Sequence, residues 1–319
     1  MSQHISPCGS IVSTKLFRLF REYRLSRFLF VEPGGNFGDY LIWRGAEKLA
    51  AAAGIQFERK DVASFMKAEL KKEDVVYIHG HGGYTSWWSG APFEILKRAV
   101  STHRGVVIQG PQTLEDNHRF LQEKVFGALD VRSALRVHMF AREERSYRNL
   151  QACAPKWMEI DIDHDTALNI SPSELACSGL TGRFVLHSIR EDPEGVPLAA
   201  REYAAVWLDP VLFCDTFEQW VELHSRARAI VTNRLHSACL GSLLGKPTTL
   251  MPNSYHKNRS VWEYSLQGRG VRWSDELPMT AVSKLINAMP PVRGVFSSTL
   301  VQRAFRVAYG VRYKSLLGG

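Results

Sequence analysis

Short apolar runs alternate with helical segments along most of this chain, and that alternation limits the fold more than any other feature of the sequence. Phe28–Val31 is strand-like and ends in Pro33-Gly34-Gly35. Tyr40–Ala53 has helical spacing and stops at Gly54. Asp74–His79, Gly105–Gln109, Val137–Phe140 and Met158–Ile162 are further strand-like runs, with helices expected over Pro92–Thr102 and Glu143–Gln151. Strands that alternate with helices and end in glycine-rich or polar loops predict a parallel sheet covered by helices. A polar, turn-rich stretch, Ile170–Gly182, interrupts the pattern. It resumes with strands at Phe184–Ile189, Ala229–Thr232 and Pro247–Met251 and helices at Phe217–Ala227 and Ser237–Leu244. The expected fold is therefore α/β, with two Rossmann-like lobes facing across a cleft, one over residues 28–180 and one over residues 181–275. Open sheets of this kind bind ligands outside the C-terminal ends of their strands.

A length of 319 residues suits two domains. Apolar residues make up 45% and charged ones 23%, which argues against disorder, a collagen-like repeat or a disulfide scaffold. No apolar run approaches the ~18 residues of a membrane span. The first ten residues lack the basic segment and apolar core of a secretory signal. The net charge of +8 sits at the two ends: +4 over residues 1–30, +5 over residues 290–319 and −1 over the rest. A nucleic-acid-binding protein carries its charge along a binding face, so no nucleic-acid partner is expected. Basic ends fit an anionic membrane surface better.

Residues 1–27 are set apart as a basic amphipathic helix, with helical spacing over residues 14–28. Lys15, Arg18, Arg21, Arg24 and Arg27 recur every third residue, with Leu16, Phe17, Leu19, Phe20, Tyr23 and Leu25 between them. Such a helix either lies on a bilayer or packs on its own domain with a solvated basic face. Residues 276–319 form a basic tail that either packs back on the first lobe or touches membrane. Five cysteines without a C-x-x-C pair argue against a disulfide framework or a cysteine zinc site. A reducing cytoplasm is the expected compartment, with peripheral contact on the inner face of the plasma membrane.

The common catalytic and nucleotide-binding signatures are missing: no G-x-S-x-G, no phosphate loop, no G-x-G-x-x-G and no H-E-x-x-H. Asp161-Ile-Asp163-His-Asp165 begins like a calcium loop, but Thr166 stands where glycine is needed and Pro172 where glutamate is needed. Its D-x-D spacing leaves a weak metal reading.

The strand-end loops carry the stronger signals. They are Gly34–Asp39, then His79–Tyr84 with Trp87-Trp88, then Arg142–Ser146, Arg190, Asn233–His236 and Asn253–Lys257. Glycines let a ligand approach the backbone. Arginine forks match carboxylates and phosphates, and a helix N-terminus favours anions. His236, at a strand-to-helix switch, is suited to proton transfer near neutral pH. Each cluster also has a structural reading: surface ion pairs at Arg142-Glu143, a helix cap at Asn233, core packing for Trp87-Trp88.

With these residues in view, the chain resembles the polysaccharide pyruvyl transferase family from about Phe28 to Tyr264. The resemblance is carried by Gly35-Asn36-Phe37-Gly38-Asp39, the His79–Gly83 turn, Arg142-Glu143 with Ser146, the Asp163/Asp165 segment, Arg190, Arg234-Leu235-His236 with Gly245-Lys246-Pro247, and Tyr255-His256-Lys257. It departs from the family pattern in reading His-Gly-His-Gly-Gly at the glycine turn and Glu143 where aspartate is frequent. The resemblance implies a GT-B-like fold and transfer of pyruvate from phosphoenolpyruvate to a sugar of an exopolysaccharide or cell-surface glycan, forming a cyclic ketal and releasing phosphate. The expected catalytic residues are His236 as acid/base, with Arg234 and Arg142. Arg142, Arg190, Arg234 and Lys257 are expected on the donor, and Asn36, Asp39, Gly82, Gly83 and Trp87 on a sugar or lipid-linked acceptor. Phosphoenolpyruvate is a co-substrate, and no cofactor or metal is expected. Two rivals stay open: a nucleotide-sugar-dependent GT-B glycosyltransferase, and a non-catalytic glycan- or lipid-surface-binding protein.

Overall fold

The computed structural model describes residues 12–284 except 89, 131–135, 176–181, 183, 197, 199, 201, 203–204 and 282. The C-terminal tail, apart from residues 276–281 and 283–284, lies outside the described residues. Two parallel sheets form the frame. The first holds Phe28–Glu32 (β1), Phe57–Asp61 (β2), Val75–Ile78 (β3), Val106–Gln112 (β4), Arg136–Ala141 (β5) and Met158–Ile162 (β6), in the order β2-β1-β3-β4-β5-β6. The second holds Phe184–Ser188 (β7), Val206–Leu208 (β8), Ala227–Thr232 (β9), Thr248–Leu250 (β10) and Val271–Trp273 (β11), in the order β11-β10-β9-β7-β8. The pairings between strands are parallel. The central strands β1 and β3 are almost wholly apolar and buried on both faces, as parallel sheets require.

Helices fill the connections: Thr14–Glu22 (α1), Phe37–Ala53 (α2), Val62–Lys67 (α3), Ala91–Thr102 (α4), His118–Phe120 (α5), Glu144–Cys153 (α6), Pro210–Phe213 (α7), Phe217–Ser225 (α8), Leu235–Leu243 (α9) and Lys257–Val261 (α10). α2 belongs to both cores. Ala46, Leu49, Ala50 and Ala53 pack with β1 and β3, whereas Leu41, Ile42 and Trp43 pack with α8, α9 and the second sheet. At Gly45 a Cβ would lie 1.8 Å from the carbonyl oxygen of Thr166, so α2 meets the turn after β6 backbone to backbone.

Three strands escaped the sequence pattern. β2 reads Phe-Glu-Arg-Lys-Asp and lies at the sheet edge, mostly exposed. Its charges suit an edge that must not pair with another chain, and they erase the apolar run that identifies a strand. β8 and β11 are three-residue edge strands.

The basic N-terminal helix is not a separate unit. α1 ends at Glu22, and Leu16 and Phe20 are fully buried in the first-lobe core. The Phe20 ring packs against Phe28, Phe30 and Tyr77. Asp163 holds the start of this helix by accepting the backbone N–H groups of Lys15 and Leu16 at 2.8 Å each. The apolar face is spent on the protein, and Arg18, Arg21 and Arg24 face solvent. Among the described residues no helix is long and apolar enough to cross a membrane.

Strand order reverses between β1 and β3 in the first sheet and between β7 and β9 in the second. At such switch points the loops diverge and leave a crevice outside the strand ends. Four of the six strand-end loops with unusual polar residues lie there.

Candidate active site

A cleft of about 600 Å³ opens at both switch points. From the first lobe it is lined by Gly34, Gly35, Asn36, Gly38 and Asp39 after β1, by His81, Gly82, Gly83, Trp87 and Trp88 after β3, and by Arg142 after β5. From the second lobe it is lined by Arg190, Asp192 and Glu194 after β7, by Arg234, Leu235, His236 and Ser237 after β9, and by Lys257. The ten residues expected at the site from sequence therefore share one cleft.

The loop after β1 turns sharply into α2. Gly34 has φ 83° and Gly35 φ 151°, a region open to glycine at little cost. Asn36 then caps α2 by accepting the Gly38 N–H at 2.8 Å, and Asp39 accepts the Asn36 N–H at 2.8 Å. This is a reciprocal capping box. Asn36 and Asp39 thus hold the helix start as well as lining the cleft. Burial raises the Asp39 carboxyl above its ordinary range, against the pull of the His236 charge. Gly38 lets the lobes meet: a Cβ there would lie 2.6 Å from Nδ1 of His236.

Four cations line the cleft, and each has a carboxylate partner. Arg142 is 1% exposed and donates from Nη1 to Asp165 at 2.9 Å and from Nε to Thr113 at 2.8 Å. Arg190 binds Asp192 through two nitrogens at 2.8 Å each and Glu194 at 2.5 Å. Arg234 binds Asp209 through Nε at 2.6 Å and Nη2 at 2.5 Å, and reaches Asp192 at 3.1 Å. Lys257 Nζ donates to Glu194. These carboxylates explain how the charges sit buried without a ligand, since an unpartnered buried ion is costly. An arriving anion must share or displace them. Burial pulls the Lys257 ammonium down to about 8, with Glu194 opposing and Arg190 and Arg142 adding to the fall.

His236 stands at the start of α9, and its Nε2 lies 3.3 Å from Asp165 Oδ2. The same oxygen takes the Arg142 bond, so Asp165 ties the two lobes together through one buried atom. Burial opposes its charge, but the hydrogen bond from His236 and the charges of His236 and Arg142 hold its carboxyl well below the ordinary range. His81 accepts the Gly83 N–H at 2.7 Å, and burial lowers its pKa to about 3, so it stays neutral.

The structural readings of the clusters resolve individually. Arg142 and Glu143 are buried rather than surface pairs, with Glu143 capping α6 through the N–H groups of Arg145 and Ser146. Asn233 does not cap α9; its Oδ1 accepts the Arg190 N–H at 2.8 Å and joins the two second-lobe loops. Trp87 and Trp88 are 42% and 48% exposed at the cleft rather than in the core. In the acidic segment, Asp161 pairs with Lys15, Asp163 holds α1 and Asp165 pairs with Arg142.

Sequence reasoning missed Asp192, Glu194 and Asp209. The first two follow Arg190 closely, but a carboxylate run after an arginine reads as a solvated loop. Asp209 meets Arg234 across 25 positions, a pairing that exists only because β8 and β9 flank β7.

The model of one protein family matches residues 36–255, a span that includes Asn36, Arg142, Arg190, Arg234 and His236. The chain belongs to the polysaccharide pyruvyl transferase family. Membership indicates polysaccharide pyruvyl transferase activity in general, and so a transferase that acts on a polysaccharide. It does not favour the nucleotide-sugar glycosyltransferase. Among solved structures, a functionally uncharacterized protein from Klebsiella pneumoniae subsp. pneumoniae NTUH-K2044 is similar, with a TM-score of 0.61 and 21% identity over 82% of this chain and 97% of that one. That likeness is one of fold. No curated protein matches the chain.

Proposed function

We propose that this polysaccharide pyruvyl transferase takes pyruvate from phosphoenolpyruvate and closes it as a cyclic ketal across two hydroxyls of a sugar, releasing phosphate. The acceptor belongs to an exopolysaccharide or cell-surface glycan. The observation that carries the reading is the convergence of Arg142, Arg190, Arg234 and Lys257 beside His236 in one cleft. Phosphoenolpyruvate carries a carboxylate and a phosphate on three carbons, and four cations beside a proton-transfer group suit it. The two parallel sheets with a shared cleft support a GT-B-like arrangement of the lobes.

His236 gives a proton to the methylene carbon of the donor, leaving an oxocarbenium-like centre at C2. The first sugar hydroxyl adds there and returns its proton to His236. The bond from C2 to the phosphate oxygen then breaks, its electrons leaving with phosphate. The second hydroxyl adds to C2, and its proton goes to the departing phosphate. Positioned proton transfer of this kind contributes about 10²–10⁴-fold. Asp165 holds one ring nitrogen of His236 and so fixes the orientation of the other. The arginines stabilise charge on the leaving group electrostatically. Asn36, Asp39, Gly82, Gly83 and Trp87 bound the acceptor side, where an exposed indole offers a stacking face to a sugar. The exposed Arg18, Arg21 and Arg24 support a peripheral, purely electrostatic contact with an anionic membrane.

The test is phosphate release from phosphoenolpyruvate with a panel of lipid-linked and aryl glycosides. Acceptor-dependent release is expected, falling at least about 100-fold in His236→Ala. Turnover within threefold of wild type in that variant removes the acid/base role. Thermal stabilisation by a nucleoside diphosphate but not by phosphoenolpyruvate overturns the donor assignment.

A further inference from the structure

We propose that a groove on the first lobe, between α1 and the outer strands β5 and β6, is a second glycan-binding site that holds a neutral stretch of the polysaccharide away from the reaction. The inference rests on membership of a family that acts on polysaccharide, and not on the donor reading. The groove has a volume of about 410 Å³, within the roughly 300–1,000 Å³ of small-molecule sites. It shares no lining residue with the cleft. Arg136 begins β5 in the groove and Arg142 follows β5 in the cleft, about 20 Å apart at the rise of a strand. Several units of one glycan span that distance.

The groove exists because α1 covers only part of the sheet. Leu16 and Phe20 pack over the central strands, with the Phe20 ring on Phe28, Phe30 and Tyr77. The outer strands are left with a polar face. Side chains two apart on a strand share a face, and in the register of β5 with β6 His138 stands beside Glu159 and Phe140 beside Asp161. Arg136, His138, Glu159 and Asp161 thus form one wall together with Phe140, and α1 forms the other.

Two properties select the ligand. The first is a balance of charge. Lys15, Arg18 and Arg136 oppose Glu22, Glu159 and Asp161. Burial lowers the His138 pKa below its ordinary value, against the pull of Glu159 and Glu22, which favours the neutral ring. A balanced site offers no net field to a phosphate or a polycation, and it suits an uncharged ligand with many hydroxyls. The second is availability. Lys15 Nζ lies 2.5 Å from Asp161, Arg136 Nη1 lies 3.9 Å from Glu22, and His138 Nδ1 lies 3.3 Å from Glu159. The side chains of the first two pairs are between 41% and 65% exposed, so they keep hydrogen-bonding positions open. Such pairs add little to stability, unlike the cleft cations buried on their carboxylates. Neighbouring sugar hydroxyls both donate and accept, which matches a carboxylate beside an ammonium or guanidinium. Leu19 and Phe140 line the same groove and supply apolar surface for the C–H face of a sugar ring.

Calorimetry on the full-length protein measures binding of neutral hexasaccharides of glucose, galactose and mannose, with inorganic phosphate as the anionic control. At least one hexasaccharide is expected to bind. Glu159→Gln and Arg136→Gln each remove one exposed charge and are expected to melt like wild type. Each is expected to weaken that hexasaccharide at least about 10-fold, the loss of one hydrogen bond to a charged group. Trp87→Ala, in the cleft, is expected to leave it within threefold. No binding by any of the hexasaccharides overturns the proposal. Affinity within twofold of wild type in both groove variants overturns it as well, and so does a loss confined to Trp87→Ala, which places the glycan in the cleft. Phosphate binding that disappears in Arg136→Gln makes the groove an anion site and also overturns the proposal. Binding is read without turnover, so failure of phosphate release from phosphoenolpyruvate removes the donor reading and leaves this site standing.

Discussion

Lys257 keeps its ammonium in a place that disfavours charge, and this gives the cleft a pH limit. Burial lowers its pKa from the ordinary value to about 8, so the proton is lost as pH rises through that value. A group with a depressed basic pKa binds an anion only while protonated. The apparent affinity for phosphoenolpyruvate is therefore expected to fall above about pH 8 in wild type. Lys257→Arg, whose guanidinium stays charged, is expected to flatten that fall. An identical upper limb in both proteins assigns the limit to another group. At this scale the sequence showed the cations but not their partners. Arg142, Arg190, Arg234, His236 and Lys257 stand out because their side chains suit phosphate and carboxylate. Asp209 and Glu194 do not, because what makes them part of the site is proximity across the fold.

At the scale of elements, α2 does more than cover a sheet. Its capped start lines the cleft, its middle packs under the second lobe and its end packs on the first. Gly45 allows this by bringing the helix against the Thr166 carbonyl. Gly45→Ala is expected to destabilise the protein by about 2 kcal/mol or more, read as a lower denaturant midpoint. An unchanged midpoint means that the turn after β6 shifts freely. The helical spacing of Tyr40–Ala53 was legible, but its double allegiance was not. A helix buried along two different cores lacks the single apolar stripe from which a partner is inferred. The same limit applied to β2, whose edge position removes the apolar pattern.

Across the whole molecule, two switch points share one opening, and residues from six loops meet there. The ends of the chain raised a different possibility, a membrane contact. The buried Leu16 and Phe20 show that α1 cannot be deleted to test it without removing part of the core. Reversing the exposed charges with Arg18→Glu, Arg21→Glu and Arg24→Glu leaves that core intact. The triple variant is expected to melt like wild type and to lose sedimentation with vesicles rich in anionic lipid. Wild-type binding is expected to weaken as salt rises. Equal binding by variant and wild type removes α1 from any such contact.

What the sequence determined by itself was local. Apolar runs and glycine-ended loops dictate parallel strands and helices, because period and turn chemistry act over a few residues. Residue chemistry within those loops pointed to anion binding and proton transfer, the roles proposed above. The tertiary structure decided which carboxylates neutralise which cations, that Asp165 joins His236 to Arg142, and that Tyr255 faces Gly82 from the other lobe. Those are contacts between residues far apart in the chain, and only the order of strands in the two sheets brings them together.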